Sequence, residues 1–301
     1  MTDAESQGPI GVLGATSIVG KCLLPLLTER GWEVTAFSRQ AITQLNVGVR
    51  WQRLNPSHSS SSYLAVKDEN IPLWVCAAPI WILPNYFWLL EAHRAKRVVV
   101  ISSTSRFTKQ GSTDPEEQAI AHRLIEAEAC VRSWAESRGV EWVILRPTLI
   151  YGFGKDKNLA EIARFIRRFN FFPLFGKATG LRQPIHAQDV ADACYSALLK
   201  PNAANREYNL SGGETLTYRE MVTRVFVALS CRPRMVAAPL WLFRIIIRVL
   251  RCTRRYRNWS VAMAERMNED LVFDHTDAAR DLNFAPRPFQ LSVKDVLQEK
   301  L

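Results

Sequence analysis

The stretch that decides the fold is Pro9-Ile10-Gly11-Val12-Leu13-Gly14-Ala15-Thr16-Ser17-Ile18-Val19-Gly20. Its first five residues form an apolar run that predicts a β-strand, and Lys21–Arg30 predicts a helix that ends at Gly31. The side of that helix expected to be buried carries Leu23, Leu24, Leu26 and Leu27. A strand, a glycine turn and a helix therefore follow one another without a gap.

A helix that begins directly after such a turn is a binding site for anions. Its first N–H groups have no acceptor within the helix, and the positive end of its dipole faces the turn. Gly14 permits the tight turn and Gly20 allows the helix to pack closely on the strand, while Ser17 occupies the place of the usual middle glycine. The Ser17 hydroxyl has a hydrogen to donate to a phosphate oxygen. We predict that the turn holds the pyrophosphate of a dinucleotide; a strand-to-helix turn without a ligand is the alternative.

The end of the second predicted strand indicates which dinucleotide is bound. Glu33–Phe37 predicts this strand, and Ser38 and Arg39 follow it. NAD-binding proteins place an acidic residue here for the ribose 2′-hydroxyl, whereas an arginine accommodates a 2′-phosphate. A guanidinium donates two parallel hydrogen bonds to a phosphate, and Ser38 adds a third donor. The sequence therefore favours NADP, with NAD as the second choice; a solvated Arg39 in a loop is the alternative.

The rest of the chain continues the alternation of strands and helices. Further strands are predicted at Val49–Leu54, Leu73–Ala77, Arg97–Ser102, Glu141–Leu145 and Tyr208–Leu210. Helices are predicted at Asn85–Arg94, Glu116–Ser137, Asn158–Asn170, Ala187–Leu199, Tyr218–Leu229, Pro239–Leu250, Ala278–Leu282 and Val293–Leu301. This order implies right-handed crossovers in an α/β fold, a Rossmann-type doubly wound parallel sheet. We expect a dinucleotide-binding domain over residues 8–150. Residues 151–301 are expected to complete the sheet and form a smaller, mostly helical C-terminal substrate lobe.

One uncharged segment, Ile71–Leu90, is long enough to span a bilayer. Pro72, Pro79 and Pro84 interrupt it, and proline inside a helix removes a hydrogen bond and kinks the chain. We therefore predict a buried strand, a loop around Pro79 and a following helix instead of a membrane span.

Charge and cysteine content limit the classes of partner. The net charge of +10 calls for an anionic partner such as nucleic acid, a phosphate-rich cofactor or an acidic membrane. The basic excess is heaviest between Arg232 and Arg257, so we expect no nucleic-acid partner. The six cysteines are scattered without a C-x-x-C pair, which predicts a reducing compartment and no metal site. With an acidic N-terminus that lacks an apolar stretch, a cytoplasmic location is expected.

Four further motifs follow the glycine turn in order. They are Val99-Val100-Ile101-Ser102-Ser103-Thr104, Leu145-Arg146-Pro147-Thr148-Leu149-Ile150-Tyr151-Gly152, Gln183-Pro184-Ile185-His186-Ala187-Gln188-Asp189-Val190-Ala191 and Tyr208-Asn209-Leu210-Ser211-Gly212-Gly213. Together with the turn they resemble the extended and atypical short-chain dehydrogenase/reductase superfamily, the NAD(P)-dependent epimerase/dehydratase group. The resemblance covers roughly residues 9 to 230.

The resemblance implies a cofactor site, a substrate and a mode of assembly. The implied cofactor-binding residues are Gly14, Thr16, Ser17, Ile18, Gly20, Ser38, Arg39, Asn55, Ala77, Ala78, Pro79 and Pro147. Such proteins move a hydride between the nicotinamide and a carbon of a bound sugar or alcohol, and Ser103 or Thr104 would polarise the substrate carbonyl. The superfamily also suggests a homodimer through the Glu116–Ser137 helix.

The chain departs from the superfamily at its proton donor, a tyrosine followed four residues later by a lysine. Two alignments are open, one placing Ile120 and Leu124 and the other Gln118 and His122 at these positions. Neither supplies a phenol beside a cation. The candidate catalytic residues are therefore Ser103, Thr104 and His122, since a histidine titrates near neutral pH. Lys109 and Tyr151 are further stand-ins, and a solvent-facing His122 is the alternative.

The segment Trp241–Arg257 alternates bulky apolar side chains with arginines. It is compatible with an amphipathic core helix, with peripheral contact to an anionic membrane, or with a lid that binds a phosphate.

Two functions remain open from the sequence. The first is an NAD(P)-binding oxidoreductase or epimerase that acts on a nucleotide sugar or a lipid-linked substrate. The second is a non-catalytic dinucleotide-binding sensor or assembly protein, peripheral to a membrane.

Overall fold

A computed structural model of the chain describes residues 7–39, 47–54, 69–156, 158–239 and 264–297. Asn55, the segment Trp241–Arg257 and almost all of the predicted Pro239–Leu250 helix lie outside the described residues.

The strands, in chain order, are β1 (Pro9–Leu13), β2 (Glu33–Ser38), β3 (Val49–Arg53), β4 (Leu73–Cys76), β5 (Arg97–Ile101), β6 (Glu141–Pro147), β7 (Ile150–Tyr151), β8 (Phe172–Phe175), β9 (Leu181–Arg182), β10 (Ile185–His186), β11 (Arg206–Leu210), β12 (Leu216–Thr217) and β13 (Met235–Ala238). The helices are α1 (Ile18–Glu29), α2 (Phe87–Ala92), α3 (Ser105–Thr108), α4 (Pro115–Arg138), α5 (Leu159–Phe169), α6 (Ala187–Leu199), α7 (Tyr218–Ala228), α8 (Thr276–Leu282) and α9 (Val293–Val296).

A seven-stranded parallel sheet forms the centre of the molecule. Its strand order is β11-β6-β5-β4-β1-β2-β3, and every neighbouring pair is parallel. This confirms the predicted α/β fold with a doubly wound parallel sheet. The strand order reverses between β1 and β4, and ligands of such sheets bind in the crevice at this reversal, outside the carboxyl ends of the strands.

Helices cover both faces of the sheet, which explains why its inner strands are nearly continuous apolar runs. All five residues of β5 are buried. On one face α1 and α6 pack together, with Leu23, Leu24 and Leu27 in the core. On the other face α2 and α4 bury Leu90 and Val131.

The uncharged Ile71–Leu90 segment folds as the prolines predict. It forms the buried strand β4, a 3-10 turn over Ile80–Tyr86 and the start of α2. None of the helices in the described ranges has the length and hydropathy that a bilayer crossing requires.

The chain beyond Tyr151 forms a separate apolar core and also returns to the sheet. Helix α6 and strand β11 rejoin the sheet, whereas α5, α7 and β8 enclose a core that includes Ile166 and Phe226. Strand β8 pairs in parallel with β13, about sixty residues away in the sequence. The sequence did not predict this pair, because both strands are short and Pro173 interrupts the first.

Candidate functional site

Two connected pockets follow the carboxyl ends of the central strands. The turn pocket, of about 540 Å³, lies between the β1–α1 turn and the end of β2. The cleft pocket, of about 700 Å³, lies between the ends of β5 and β6 and the C-terminal lobe. Ser17, Ala78 and Pro79 line both pockets, so the two make one groove across the β1–α1 turn. The groove lies at the reversal of strand order, where the fold predicts a ligand.

The two glycines of the turn are required by close backbone contacts. Gly14 has φ +75°, and a Cβ there would lie 2.3 Å from the backbone nitrogen of Ala78. A Cβ on Gly20 would lie 2.5 Å from the carbonyl oxygen of Ala15. A side chain at Gly14 would therefore collide with the Ala77–Ala78 backbone, and its positive φ also favours glycine.

The head of α1 offers donors to this groove. Ser17 caps the helix, its Oγ accepting the N–H of Gly20 at 3.0 Å. The first intrahelical bond runs from the Lys21 N–H to the Ser17 carbonyl, so the N–H groups of Ile18 and Val19 precede the intrahelical ladder. The sequence suggested phosphate binding for Ser17, and the structure adds this cap. Since the cap uses only a lone pair of Oγ, the hydroxyl hydrogen remains available to a phosphate.

The end of β2 closes the other side of the turn pocket. Half-buried Ser38 and exposed Arg39 line it beside Phe37 and Leu54. The described residues around this pocket include no carboxylate. Among the described lining residues the one charged group is therefore the Arg39 guanidinium, a strong hydrogen-bond donor to anions.

The predicted residues occupy this groove in two groups. Gly14, Thr16, Ser17, Ser38, Arg39, Ala78 and Pro79 line the turn pocket, whereas Ile18, Ala77, Pro147, Ser103 and Thr104 line the cleft pocket. Gly20 lies beneath the turn without lining either pocket, and Asn55 lies outside the described residues.

Two hydroxyl groups at the end of β5 face the cleft. Thr104 is 6% exposed, and its Oγ1 donates to the carbonyl oxygen of Pro147 at 3.3 Å. Ser103 is half-buried, and its Oγ accepts the N–H of Ser105 at 3.1 Å. The Ser103 hydroxyl thus keeps its hydrogen for a ligand, whereas that of Thr104 must turn away from Pro147 to donate.

A buried ion network fixes this loop from behind. Glu128 of α4 is fully buried and accepts the Ser102 hydroxyl at 2.5 Å. Arg146 of β6 binds the same carboxylate at 3.1 and 2.7 Å, and Arg106 binds it as well. Arg146 also reaches Glu207 of β11 at 2.6 Å. The network joins β5, β6, α4 and β11 immediately beneath the Ser103–Thr104 loop.

The face of α4 that meets the cleft carries no proton donor. Ile120 and Leu124 line the cleft pocket, whereas His122 is exposed and is not part of the lining. The reason is geometric: two residues along a helix turn the side chain by about 200°. Ile120 and Leu124 therefore face the cleft, whereas His122 faces away from it, as in the solvent-facing alternative.

Lys109 is a cation in the wall of the cleft. Its Nζ lies 3.6 Å from Glu117, a carboxylate that also binds Arg266 and accepts the Ser112 hydroxyl at 2.8 Å. Burial lowers the pKa of Lys109 below its ordinary 10.5, although Glu117 opposes the shift. A lysine with a lowered pKa in a ligand cleft is suited to proton transfer.

Tyr151, the other stand-in, is placed differently. It is 1% exposed, lies outside the cleft lining and donates to the carbonyl oxygen of Gln290 at 3.4 Å. Burial raises its pKa to about 12. A neutral, enclosed phenol that is already hydrogen-bonded is a core group, so the structure argues against a catalytic Tyr151.

The C-terminal lobe contributes residues that sequence reasoning missed. Lys155, Asn158, Arg182, Arg266 and Phe273 line the cleft pocket opposite Ser103. They come from segments up to about 120 residues apart, and no local motif joins them. Only the packing of the lobe against the sheet brings them together.

The sequence model of the NAD dependent epimerase/dehydratase family matches residues 87–211. Over 120 residues the chain is 27% identical to a UDP-glucose 4-epimerase of Vibrio cholerae, covering 40% of this chain and 37% of that protein. Over 118 residues it is 28% identical to a mitochondrial subunit 9 of the NADH dehydrogenase (ubiquinone) 1 alpha subcomplex of Arabidopsis thaliana, covering 39% and 29%. The matched segments thus span 37% and 29% of the length of these two relatives.

Solved structures match almost the whole chain. The UDP-glucose 4-epimerase of Thermotoga maritima with UDP-glucose superposes with a TM-score of 0.69 at 16% identity, over 96% of both chains. The UDP-glucose 4-epimerase of Thermus thermophilus in complex with NAD gives a TM-score of 0.67 at 19% identity, over 96% and 97%. At such identities the likeness establishes the fold alone.

Proposed function

Because the model of the NAD dependent epimerase/dehydratase family matches residues 87–211, we propose that the chain is a member of this family. We propose further that it binds NADP in the turn pocket and transfers hydride to or from a small molecule in the cleft pocket. The observation that carries the proposal is the continuous groove from Arg39, across the Gly14–Gly20 turn, to Ser103 and Lys109.

The residues of the turn pocket fit the parts of this cofactor. The N–H groups at the head of α1 and the Ser17 hydroxyl would hold the pyrophosphate. Arg39 and Ser38 would hold the 2′-phosphate, a role that the absence of a lining carboxylate in the described part supports. The choice of NADP over NAD depends only on this expected contact with the 2′-phosphate.

In the cleft the nicotinamide, when bound, supplies or accepts a hydride. Ser103 would donate a hydrogen bond to the substrate oxygen and polarise its carbonyl. Lys109 would hold the proton that this oxygen takes up on reduction and would receive it back on oxidation. Ile120 and Leu124 would exclude water from that side of the cleft.

Calorimetry with NADP and NAD tests the cofactor assignment. We expect NADP to bind more tightly than NAD. Arg39→Ala should lower the affinity for NADP by about 10- to 100-fold and leave the affinity for NAD unchanged, because a charge-assisted hydrogen bond contributes about 1.5–3 kcal/mol. Arg94→Ala, an exposed arginine outside both pockets, is the matched control. Equal affinities for the two dinucleotides, or equal losses in Arg39→Ala, refute the choice of NADP.

Lys109→Gln and Lys109→Arg test the proton transfer. Reduction needs the ammonium form, so its rate should fall as pH rises through the lowered pKa of Lys109. In Lys109→Gln this fall in rate at high pH should disappear, and kcat should decrease about 100-fold. In Lys109→Arg the fall should move to higher pH. An unchanged pH profile in Lys109→Gln excludes Lys109 as the proton donor.

A second candidate function rests on the apolar pair at 120 and 124. A cleft without the phenol and its cation is what a dinucleotide-binding module without catalysis requires, as in a sensor or an assembly protein. The similarity to a subunit of NADH dehydrogenase supports this reading. It predicts tight NADP binding with no change in nicotinamide absorbance across a panel of carbonyl compounds, alcohols and nucleotide sugars. Turnover that depends on Lys109 refutes it.

Three further expectations remain proposals. Contact of Trp241–Arg257 with an anionic membrane is tested by flotation with anionic liposomes, and its absence at low salt refutes the contact. A homodimer through α4 is tested by light scattering. A cytoplasmic location is tested by fractionation of cells that express the chain.

A further inference from the structure

The C-terminal lobe holds a third pocket, the apolar pocket, of about 170 Å³. Its apolar walls are Ile162, Phe165, Phe172, Phe175, Met221 and Met267. A cavity of about 150 Å³ with walls of this kind stays dry and accommodates benzene. The apolar pocket therefore has room for one ring or about six carbons.

The apolar pocket opens into the cleft pocket. Leu149, Asn158, Arg182, Arg266 and Leu271 line both. A molecule in the cleft reaches the apolar pocket directly, so the two can hold different parts of one ligand.

A buried cation stands at this junction. Arg182 is 5% exposed and donates to the carbonyl oxygens of Leu181 and Glu269, each at 2.7 Å, and to that of Arg266. It has no salt bridge to a carboxylate within the described ranges, whereas the Arg266 guanidinium is paired with Glu117. Carbonyl dipoles balance a buried charge only in part, so Arg182 favours an anionic ligand group.

The polar groups of the apolar pocket are gathered at one end or at its rim. Asn158 is shared with the cleft, Glu161 is exposed, and the Tyr218 ring lies 5.4 Å below the Arg182 guanidinium. A nucleobase would place several donors and acceptors against the phenylalanine and methionine walls, where they would lose their hydrogen bonds. An alkyl or phenyl group has no such groups to satisfy.

We propose that the substrate of the proposed reaction is an organic anion with an apolar group of about six carbons. The anionic group lies at Arg182 and the apolar group fills the apolar pocket. The inference rests on the proposed function for the reaction, but the binding itself is independent of cofactor.

The test is a series of n-alkyl phosphates from two to ten carbons, titrated calorimetrically into the full chain without cofactor. Each methylene should tighten binding about fourfold up to about six carbons, after which the affinity levels off. Affinity that is immeasurable or independent of chain length overturns the proposal. So does uridine diphosphate binding more tightly than hexyl phosphate, because it assigns the pocket to a nucleotide.

Two variants locate the effect in this pocket. Phe165→Trp fills the pocket and should lower the affinity for hexyl phosphate about tenfold, while the affinity for ethyl phosphate stays unchanged. If that variant does not fold, Met267→Phe replaces it. Phe169→Trp, 41% exposed on the same helix and outside the pocket, is the matched control and should behave as wild type. Equal effects of the two tryptophan substitutions also overturn the assignment.

The experiments distinguish this proposal from the proposed function. If affinity depends on alkyl chain length but NADP does not bind, the proposed function is refuted and the pocket assignment stands. If NADP binds but affinity does not depend on chain length, only the pocket assignment is refuted.

Discussion

Replacing Glu128 by glutamine should be among the most damaging single changes outside the apolar core. The carboxylate is fully buried and is bound by Ser102, Arg106 and Arg146. Breaking a buried ion pair from one side costs about 3–5 kcal/mol, because the partner charge remains buried. Arg146 retains Glu207, whose side chain is 37% exposed, so the lower end of this range is expected.

The cost is measured by urea unfolding, followed by tryptophan fluorescence, and by thermal unfolding. About 3 kcal/mol corresponds to a fall in Tm of about 6 °C or slightly more in a chain of this size. Glu207→Gln is the control and should cost less than about 1 kcal/mol, since Glu207 is 37% exposed and Arg146 keeps its bond to Glu128. Replacing both Glu128 and Arg146 by methionine should recover part of the loss, because Arg146 then leaves no buried charge and only Arg106, whose side chain is 17% exposed, lacks its carboxylate. A loss below about 1 kcal/mol in Glu128→Gln would show that the network does not stabilise this region.

Three shorter predictions concern the turn, helix α4 and the C-terminus. Gly14→Ala should lower the affinity for NADP at least 100-fold in calorimetry, because the added Cβ would lie 2.3 Å from the Ala78 nitrogen at a residue with φ +75°. An unchanged affinity would contradict the proposal that the β1–α1 turn binds the pyrophosphate. His122→Ala should keep turnover within about twofold of wild type because the side chain is exposed outside the cleft; a tenfold loss in a steady-state assay would restore it as a catalytic residue. Burial raises the pKa of Asp295, but hydrogen bonds, above all from His186, outweigh this and hold the pKa at about 2. That stabilisation is full above the ordinary pKa of 3.8 and disappears as pH falls towards 2, so Asp295→Asn should cost about 1–2 kcal/mol at pH 7 and progressively less below pH 4 in urea unfolding; a cost that is constant with pH would contradict the assignment.

Some residues of the candidate site could be recognised from their neighbours in the sequence, and others only from the tertiary structure. The β1–α1 turn could be recognised from twelve consecutive residues, because a strand, a glycine with positive φ and a capped helix are all dictated locally. Arg39 was found because it directly follows a strand with a readable pattern. In contrast, the two alignments of α4 could not be separated from the sequence, since only contact with the cleft shows that Ile120 and Leu124 face inward and His122 outward.

The sequence by itself determined the doubly wound sheet and its glycine turn, because strand and helix periodicity and glycine geometry act over a few residues. Tertiary structure alone decided the contents of the cleft and the apolar pocket. Lys109, Arg182 and Phe172 belong to separate segments of the chain and carry no shared local signal. They meet because the C-terminal lobe folds against the sheet, and such packing depends on the whole chain.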